Sequence, residues 1–473
     1  MEHYDVKEAN VALSSRGSSE PGDVEPQVNE KKLTRKIDLR VLPILFIIYF
    51  AAFLDRVNIS NALTMSLPKD LGLTGQKPNI ALTIFFVPYI LFEIPSNILM
   101  KKFQPHVWLS GCILVFGIVM LCQGFVQSYG GLLATRFFLG LAEAGIFPGS
   151  FYLISFWYER AEAQKRFTVY WSSVIIAGAF GGLLATGISK MNGVHGLANW
   201  RWIFILEGIF TILVGIAAFF LVSDFPKESK WLSPQEREFV LAKTSTNESH
   251  ASPVTMKDIG TFFKSPRNAL GAIMYFTVVV PIYSIAYFMP TIIQSLGYSV
   301  TQTQLHSVPP FAAAFGICLV AAFASDAMRL RYPFVMLGYA LMIVGFAILM
   351  TVHGKAHFSA EYAGICLISM GSFSAGASVV CWYLMNLRGH AERSIGSAWM
   401  ISFGNAGGIV ATFSFLKADA PLYHTGYSIC MAMSVVGAAA TLLYGLLVWM
   451  ERRAAVVKGV DVKEQLETEV PSL

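Results

Sequence analysis

Residues 178–186 read GAFGGLLAT and residues 404–412 read GNAGGIVAT, one GxxGGxxAT pattern written twice, 226 residues apart. Each copy lies inside an apolar run of membrane-spanning length, about 20 residues. Such runs occur at 40–60, 79–100, 107–127, 131–155, 168–190, 202–222, 268–294, 305–325, 334–353, 361–384, 395–416 and 426–450. The first copy falls in the fifth run and the second in the eleventh. A pattern that recurs six spans later returns to the same side of the membrane, so the two halves repeat in parallel about an axis along the membrane normal. A looser echo agrees: Ser96-Asn97 precede Lys101 and Lys102 after span two, and Ser325-Asp326 precede Arg329 and Arg331 after span eight. Small residues in spans five and eleven let those helices approach their neighbours closely, as halves that rock require.

The rest of the chain suits a bilayer. Of 473 residues, 55% are hydrophobic and 14% charged, whereas a soluble chain carries about a quarter charged. A soluble enzyme could not bury that surplus. The net charge of +5 is spread in short clusters between the runs and does not indicate a nucleic-acid partner. Cys112, Cys122, Cys318, Cys366, Cys381 and Cys430 all fall inside runs, with no CxxC, and read as small buried apolar side chains rather than disulfides or metal ligands. HExxH, GxSxG and the phosphate-binding GxxxxGK(S/T) do not occur, so ATP-driven pumping and the commoner intramembrane hydrolases lack their parts. No enzyme activity, cofactor or metal is expected. The work of transport would draw on an ion gradient or on the cargo's own.

The fold expected is an all-α membrane protein of twelve transmembrane helices in two parallel six-helix halves. Residues 1–36 are polar and poor in aromatics, as a disordered tail is. Residues 37–222 form the first half and 223–266 a central loop, with SPQEREFVLAK (233–243) as a short capped surface helix. Residues 267–450 form the second half and 451–473 a second tail. With the N-terminus placed inside, most of the 35 Lys and Arg residues fall on that side, leaving Lys69, Lys77, Lys190, Arg201, Lys355 and Lys417 outside. This bias predicts that both termini are cytoplasmic.

Ionisable groups are costly in a bilayer, so each is a functional candidate; the spans hold Asp55, Arg56, Glu93, Arg136, Glu143 and Glu207. Arg56 lies sixteen residues beyond Arg40, about 24 Å along a helix, and Arg136 enters span four from its outer end. Both arginines then share the outer third of the membrane. If both face the cavity between the halves, they form a positive site for an anion. Glu143 follows Arg136 by seven residues on the same helix face, near the midplane. A carboxyl out of water holds a proton more readily, which suits proton coupling; the alternative is an Arg–Glu pair that merely neutralises itself. Asp55 reads as the counter-ion of Arg56 or as a second proton group, and Glu93 and Glu207 as partners of loop cations. Tyr283 and Tyr287 share a face of span seven and offer rings and hydroxyls to a cargo, or ordinary packing. Pro281 and Pro290 on that span would let a gate bend. Asn405 is a neutral polar group in mid-span eleven.

FLDRVNISNA (53–62), FFVPYILFEIPSNILMKKFQPHVW (85–108), RFFLGLAEAGIFPG (136–149), AGAFGGLLATGISKMNGVHGLANWRWIFILEG (177–208), FPKESKWLSPQER (225–237) and SDAMRLRYPF (325–334) together carry a family resemblance. The chain resembles the major facilitator superfamily, and within it the fungal allantoate and nicotinate permease branch of the anion:cation symporters. The resemblance implies the major facilitator fold and proton-coupled uptake of a carboxylate across the plasma membrane. It implies anion recognition at Arg56 and Arg136 and protonation at Glu143. The superfamily's gating motif, Gly-x-x-x-Asp-Arg-x-Gly-Arg-Arg, is altered here: Asn97 stands for the first-half Asp, with Lys101 and Lys102 after it. The second-half copy keeps Asp326 and Arg329. Span five lacks the proline of the drug-antiporter signature, which weighs against multidrug efflux.

The expectation is therefore a monomeric secondary transporter that takes up a small organic monocarboxylate, nicotinate-like vitamins first, together with protons. Arg56 and Arg136 would hold the carboxylate, and Tyr283, Tyr287 and Asn405 the remainder. Glu143 and Asp55 would serve the proton, and Lys101, Lys102, Asp326 and Arg329 the gate. An exporter of an organic acid or secondary metabolite, and a non-transporting nutrient receptor, are the alternatives.

Overall fold

The computed structural model describes residues 28–100, 102–244, 255–328, 330–352, 357–387 and 389–457. Those residues form helices and connecting turns. Span one is Glu30–Val57 continued by Ile59–Leu63, span two Lys77–Met100, span three Pro105–Gln123, and span four Tyr129–Glu143 continued by Ile146–Trp157. Span five is Arg160–Ile188 and span six Asn199–Leu221. Span seven is Pro266–Ser295, span eight Val300–His306 continued by Val308–Met328, span nine Tyr332–Thr351 and span ten Phe358–Asn386. Span eleven is Gly389–Asn405 continued by Gly407–Ser414, and span twelve is His424–Val457. Eleven of these stretches are long and apolar enough as helices to cross a bilayer. The eleventh span, Gly389–Ser414, is the exception.

Two boundaries and one element differ from the sequence reading. Span one starts at Glu30, not after 36: Asn29 caps it by accepting from the Lys32 N–H, and Leu33 and Ile37 are buried while Arg35 and Lys36 between them face out. The tail reading for residues 1–27 lies outside the described residues. Span twelve continues to Val457, and 458–473 again lie outside them. The central loop carries a second helix, Met256–Lys264, besides Pro234–Thr244. Its signal was legible as Thr255-x-x-Asp258, a capping box in which each side chain satisfies the other residue's backbone N–H. Span seven runs unbroken through Pro281 and Pro290.

The repeated glycines explain how the halves meet. A Cβ on Gly182 would lie 2.7 Å from the Gln304 carbonyl oxygen, and one on Gly178 would enter the Phe311 ring, so span five seats span eight. One on Gly408 would enter the Phe86 ring, so span eleven seats span two. Five pairs with eight as eleven pairs with two, the relation a two-fold parallel repeat demands.

Hydrogen bonds between the halves gather toward the face opposite the termini. Asn79 Nδ2 donates to the carbonyls of Thr412 (2.6 Å) and Phe415 (3.1 Å), and the hydroxyls of Thr83 and Thr412 meet at 2.6 Å. Gln304 Nε2 donates to Thr64 Oγ1 at 2.9 Å, and Ser60 Oγ to the Ala286 carbonyl at 3.4 Å. On the terminal face the recorded ion pairs join groups within one half or tie the first half to the central loop. Arg166 bonds Asp38 (2.9 Å), Arg267 bonds Glu392 (2.8 Å), and Lys36 bonds Glu236 (2.7 Å). The halves are latched on the far side.

Candidate functional site

A small cavity lies between the halves. Its walls are Tyr49 and Phe53 from span one, Tyr89 from span two, Phe147 from span four and Trp171 and Val174 from span five. Tyr275, Val279, Ile282 and Tyr283 of span seven and Asn405 of span eleven close it. Every one of these residues is buried. Its walls are mostly aromatic and aliphatic faces with few polar groups.

At its edge sits Arg56, 1% exposed. Its Nε donates to Glu143 Oε2 at 3.1 Å and one terminal nitrogen donates to Oε1, a bidentate pair. The other terminal nitrogen donates to the Tyr283 hydroxyl, on the second half. Rings of Tyr89, Phe85, Phe53 and Tyr283 surround the guanidinium, with centres 5.1–5.7 Å from Cζ. Glu143 is the last residue of its helix segment, before the chain breaks at Ala144-Gly145, so its side chain reaches across to span one.

Arg136 lies one layer away. Its two terminal nitrogens donate to the Arg56 carbonyl at 3.4 and 3.3 Å, while its Nε has no partner. That carbonyl lies at the turn where span one breaks at Asn58, and a carbonyl beside a break needs a donor from elsewhere in a bilayer. The Phe85 ring centre is 5.2 Å from both guanidinium carbons. Tyr287 lies against Arg136 from the second half and stacks on Tyr283 with ring centres 5.9 Å apart. Neither arginine lines the cavity itself, and neither points into lipid. Both reach the seam between the halves.

Several residues stand elsewhere than the sequence suggested. Asp55 is not the counter-ion of Arg56: one helical step round span one, it turns into the first half and accepts from Thr211 Oγ1 at 2.7 Å. Glu207 does not meet a loop cation. It accepts from the Asn58 side-chain amide and lies beside Asp55. Glu93 likewise has no loop cation; it is 1% exposed and faces Asn405 and Ser402 across the seam. Tyr283 donates to Asn405 Oδ1 at 3.4 Å. Asp326 bonds Arg331 within its own loop, and Lys102 is exposed on the terminal face. Lys101 and Arg329 lie outside the described residues. Asn58 and Phe85 were not singled out from the sequence; their signal was position, within a turn of Arg56 and Tyr89.

The model of the Major Facilitator Superfamily matches residues 45–412. The chain belongs to that superfamily. Among its relatives, the MFS-type transporter cnsO of Penicillium expansum is 32% identical over 92% of this chain and 86% of its own length. The major facilitator-type transporter hxnP of Emericella nidulans is 30% identical over 90% of this chain and 87% of its own. An uncharacterized transporter of Schizosaccharomyces pombe is 32% identical over 86% and 84% respectively. In fold, the superfamily member resembles a bacterial homolog of the human lysosomal transporter Spinster, in its inward-facing and unoccupied conformation, with TM-score 0.64. That likeness holds at 15% identity over 88% of this chain and 97% of the other.

Proposed function

We propose that this superfamily transporter carries a small organic monoanion together with a proton, inward across the plasma membrane, as a monomer with both termini in the cytoplasm. The observation that carries the reading is the bidentate Arg56–Glu143 pair at the cavity edge, bridged to the second half through Tyr283. Glu143 holds the place that a cargo carboxylate would take. When the cargo displaces it, Glu143 is left without its cation in a dry site, and such a carboxylate takes up a proton. One anion and one proton then cross together. Arg136 contributes the surplus positive charge, Tyr283 and Asn405 orient the cargo's remainder, and Tyr287 holds Arg136 toward the seam. Asp55 enters this scheme only through Glu207 and Asn58, on the far side of span one. Lys102 and Asp326, with Lys101 and Arg329, would gate the terminal face. A nicotinate-like ring acid is the first cargo to try, given the aromatic walls.

The test is uptake of radiolabelled nicotinate, benzoate and pyruvate by transporter-deficient yeast expressing the protein, at acidic and neutral external pH. The reading expects accumulation of at least one acid, faster in acid medium and lost in Arg56→Ala and Arg136→Ala. Unchanged uptake in either variant would remove the anion site. Proteoliposomes with the gradient imposed in each direction decide between import and export.

A further inference from the structure

Glu93 is the one seam carboxyl that the scheme above leaves without work. It lies seven residues from the end of span two, about 10 Å short of the terminal face. Neither of its oxygens accepts a hydrogen bond. Its neighbours are neutral groups of the other half, Asn405 and Ser402, and the hydroxyls of Tyr89, Tyr275 and Tyr283. The nearest cation is Arg56, already held by Glu143. Ser402 Oγ is likewise without a partner.

A polar line joins this carboxyl to the cation. Glu93 faces Asn405, Tyr283 donates to Asn405, and Arg56 donates to Tyr283. The line starts in the first half, crosses to spans eleven and seven, and returns to span one. Asn405 is the last residue before span eleven breaks at Ala406, so it moves if the two segments of that span shift. An amide can present its oxygen to a protonated carboxyl or its nitrogen to an ionised one. The same two residues can therefore satisfy Glu93 in either state.

Charge decides what the group does. Arg56 and Arg136 against Glu143 leave one positive charge at the seam. An ionised Glu93 cancels it, and an anion would then gain nothing by entering. A protonated Glu93 leaves the charge for the cargo.

We propose that Glu93 carries a second proton in each cycle, so that one monoanion crosses with two protons and one net positive charge. This rests on the anion–proton reading above. It adds to that reading that transport responds to the membrane potential as well as to pH. In the exchange, Glu143 gains a proton as it gives up Arg56 to the cargo. Glu93 gains one as the seam opens to the face supplying protons, and both protons leave on the other side with the anion.

The experiment uses the full chain in proteoliposomes, with radiolabelled nicotinate, benzoate or pyruvate, whichever wild type accumulates. A potassium diffusion potential of either sign is set by valinomycin at fixed pH gradient. Wild type should be several-fold faster with the interior negative. Glu93→Gln should lose that response while keeping accumulation driven by the pH gradient and exchange of labelled for unlabelled acid. Wild-type uptake driven by pH but indifferent to potential would overturn the second proton and leave the first standing. So would a potential response that survives in Glu93→Gln, or loss of acid exchange in that variant, which would make Glu93 a binding or folding residue. Accumulation of none of the acids by wild type would overturn the anion reading itself, and the second proton with it.

Discussion

Arg56 on span one and Glu143 on span four form a bidentate ion pair in which both side chains are about 1% exposed. Removing one member of such a pair strands the other charge, at a cost of about 3–5 kcal/mol, whereas removing both costs far less. Arg56→Ala and Glu143→Ala should each lower the thermal midpoint of the purified protein clearly, and the double variant should recover most of the loss. None of the three should accumulate anion. A double variant as unstable as the sum of the singles would mean that the two groups do not act as a pair.

The latch opposite the termini hangs on few groups. Asn79 supplies two hydrogen bonds to backbone carbonyls at the end of span eleven, and Thr83 a third through Thr412. Asn79→Ala should weaken the latch by about 1–3 kcal/mol and shift the population toward a state open on that face. Spin labels on the outer ends of spans two and eleven would report a longer distance in the variant. An unchanged distribution would show that glycine packing, not these bonds, holds that face shut.

Much of the fold was legible because the bilayer imposes its period on the chain: runs of spanning length and a nine-residue pattern at spans five and eleven were sufficient. The breaks were not. Asn58, Ala144-Gly145 and Ala406 interrupt helices without a proline among them, and at the first of them Arg136 of span four donates to the Arg56 carbonyl, a partner that a linear pattern does not display. The site shows the same division. Depth along the helix put Arg56 and Arg136 in the outer third of the membrane and Glu143 near the midplane. It could not tell that Glu143 would choose Arg56 over Arg136, or that Asp55, next to Arg56 in sequence, would face Thr211 instead. Adjacent helical residues point about 100° apart, so sequence neighbours are poor guides to counter-ions.

On the terminal face, the helix Pro234–Thr244 is fastened to span one by Lys36 and Glu236 at 2.7 Å, with Glu236 also accepting from the Ser233 N–H at 2.9 Å. Slight burial pushes the Glu236 carboxyl up, but the Lys36 ammonium and the Ser233 groups outweigh it and hold it below the ordinary value of 4.5. A depressed carboxyl stabilises above its unfolded value and loses that contribution as pH falls through the folded one. Docking of this helix should therefore be constant through neutral pH and loosen only in acid below about 4.5. The pair is partly exposed, so the effect is at most about 1 kcal/mol and weakens with salt. Hydrogen exchange of residues 234–244 is the measurement. Loosening already at neutral pH would point to another tether, such as Lys243 on Glu162.

Gly408 is where the repeat touches the site. A side chain there would enter the Phe86 ring, and Phe86 stands edge-on to Tyr283 with ring centres 5.0 Å apart. Tyr283 in turn holds Arg56. Gly408→Val should thus act at two removes, pressing Phe86 into Tyr283 and loosening its bond to the guanidinium. Overpacking of this kind costs about 1–3 kcal/mol, so the protein should still fold while anion uptake drops sharply. Phe86→Leu in the same chain would make room and should restore part of the uptake. Gly111, with nothing near the position of a Cβ, is the control, and Gly111→Val should transport as wild type. If Phe86→Leu fails to rescue Gly408→Val while the protein stays folded, the path from the repeat to the cation does not run through Phe86 and Tyr283.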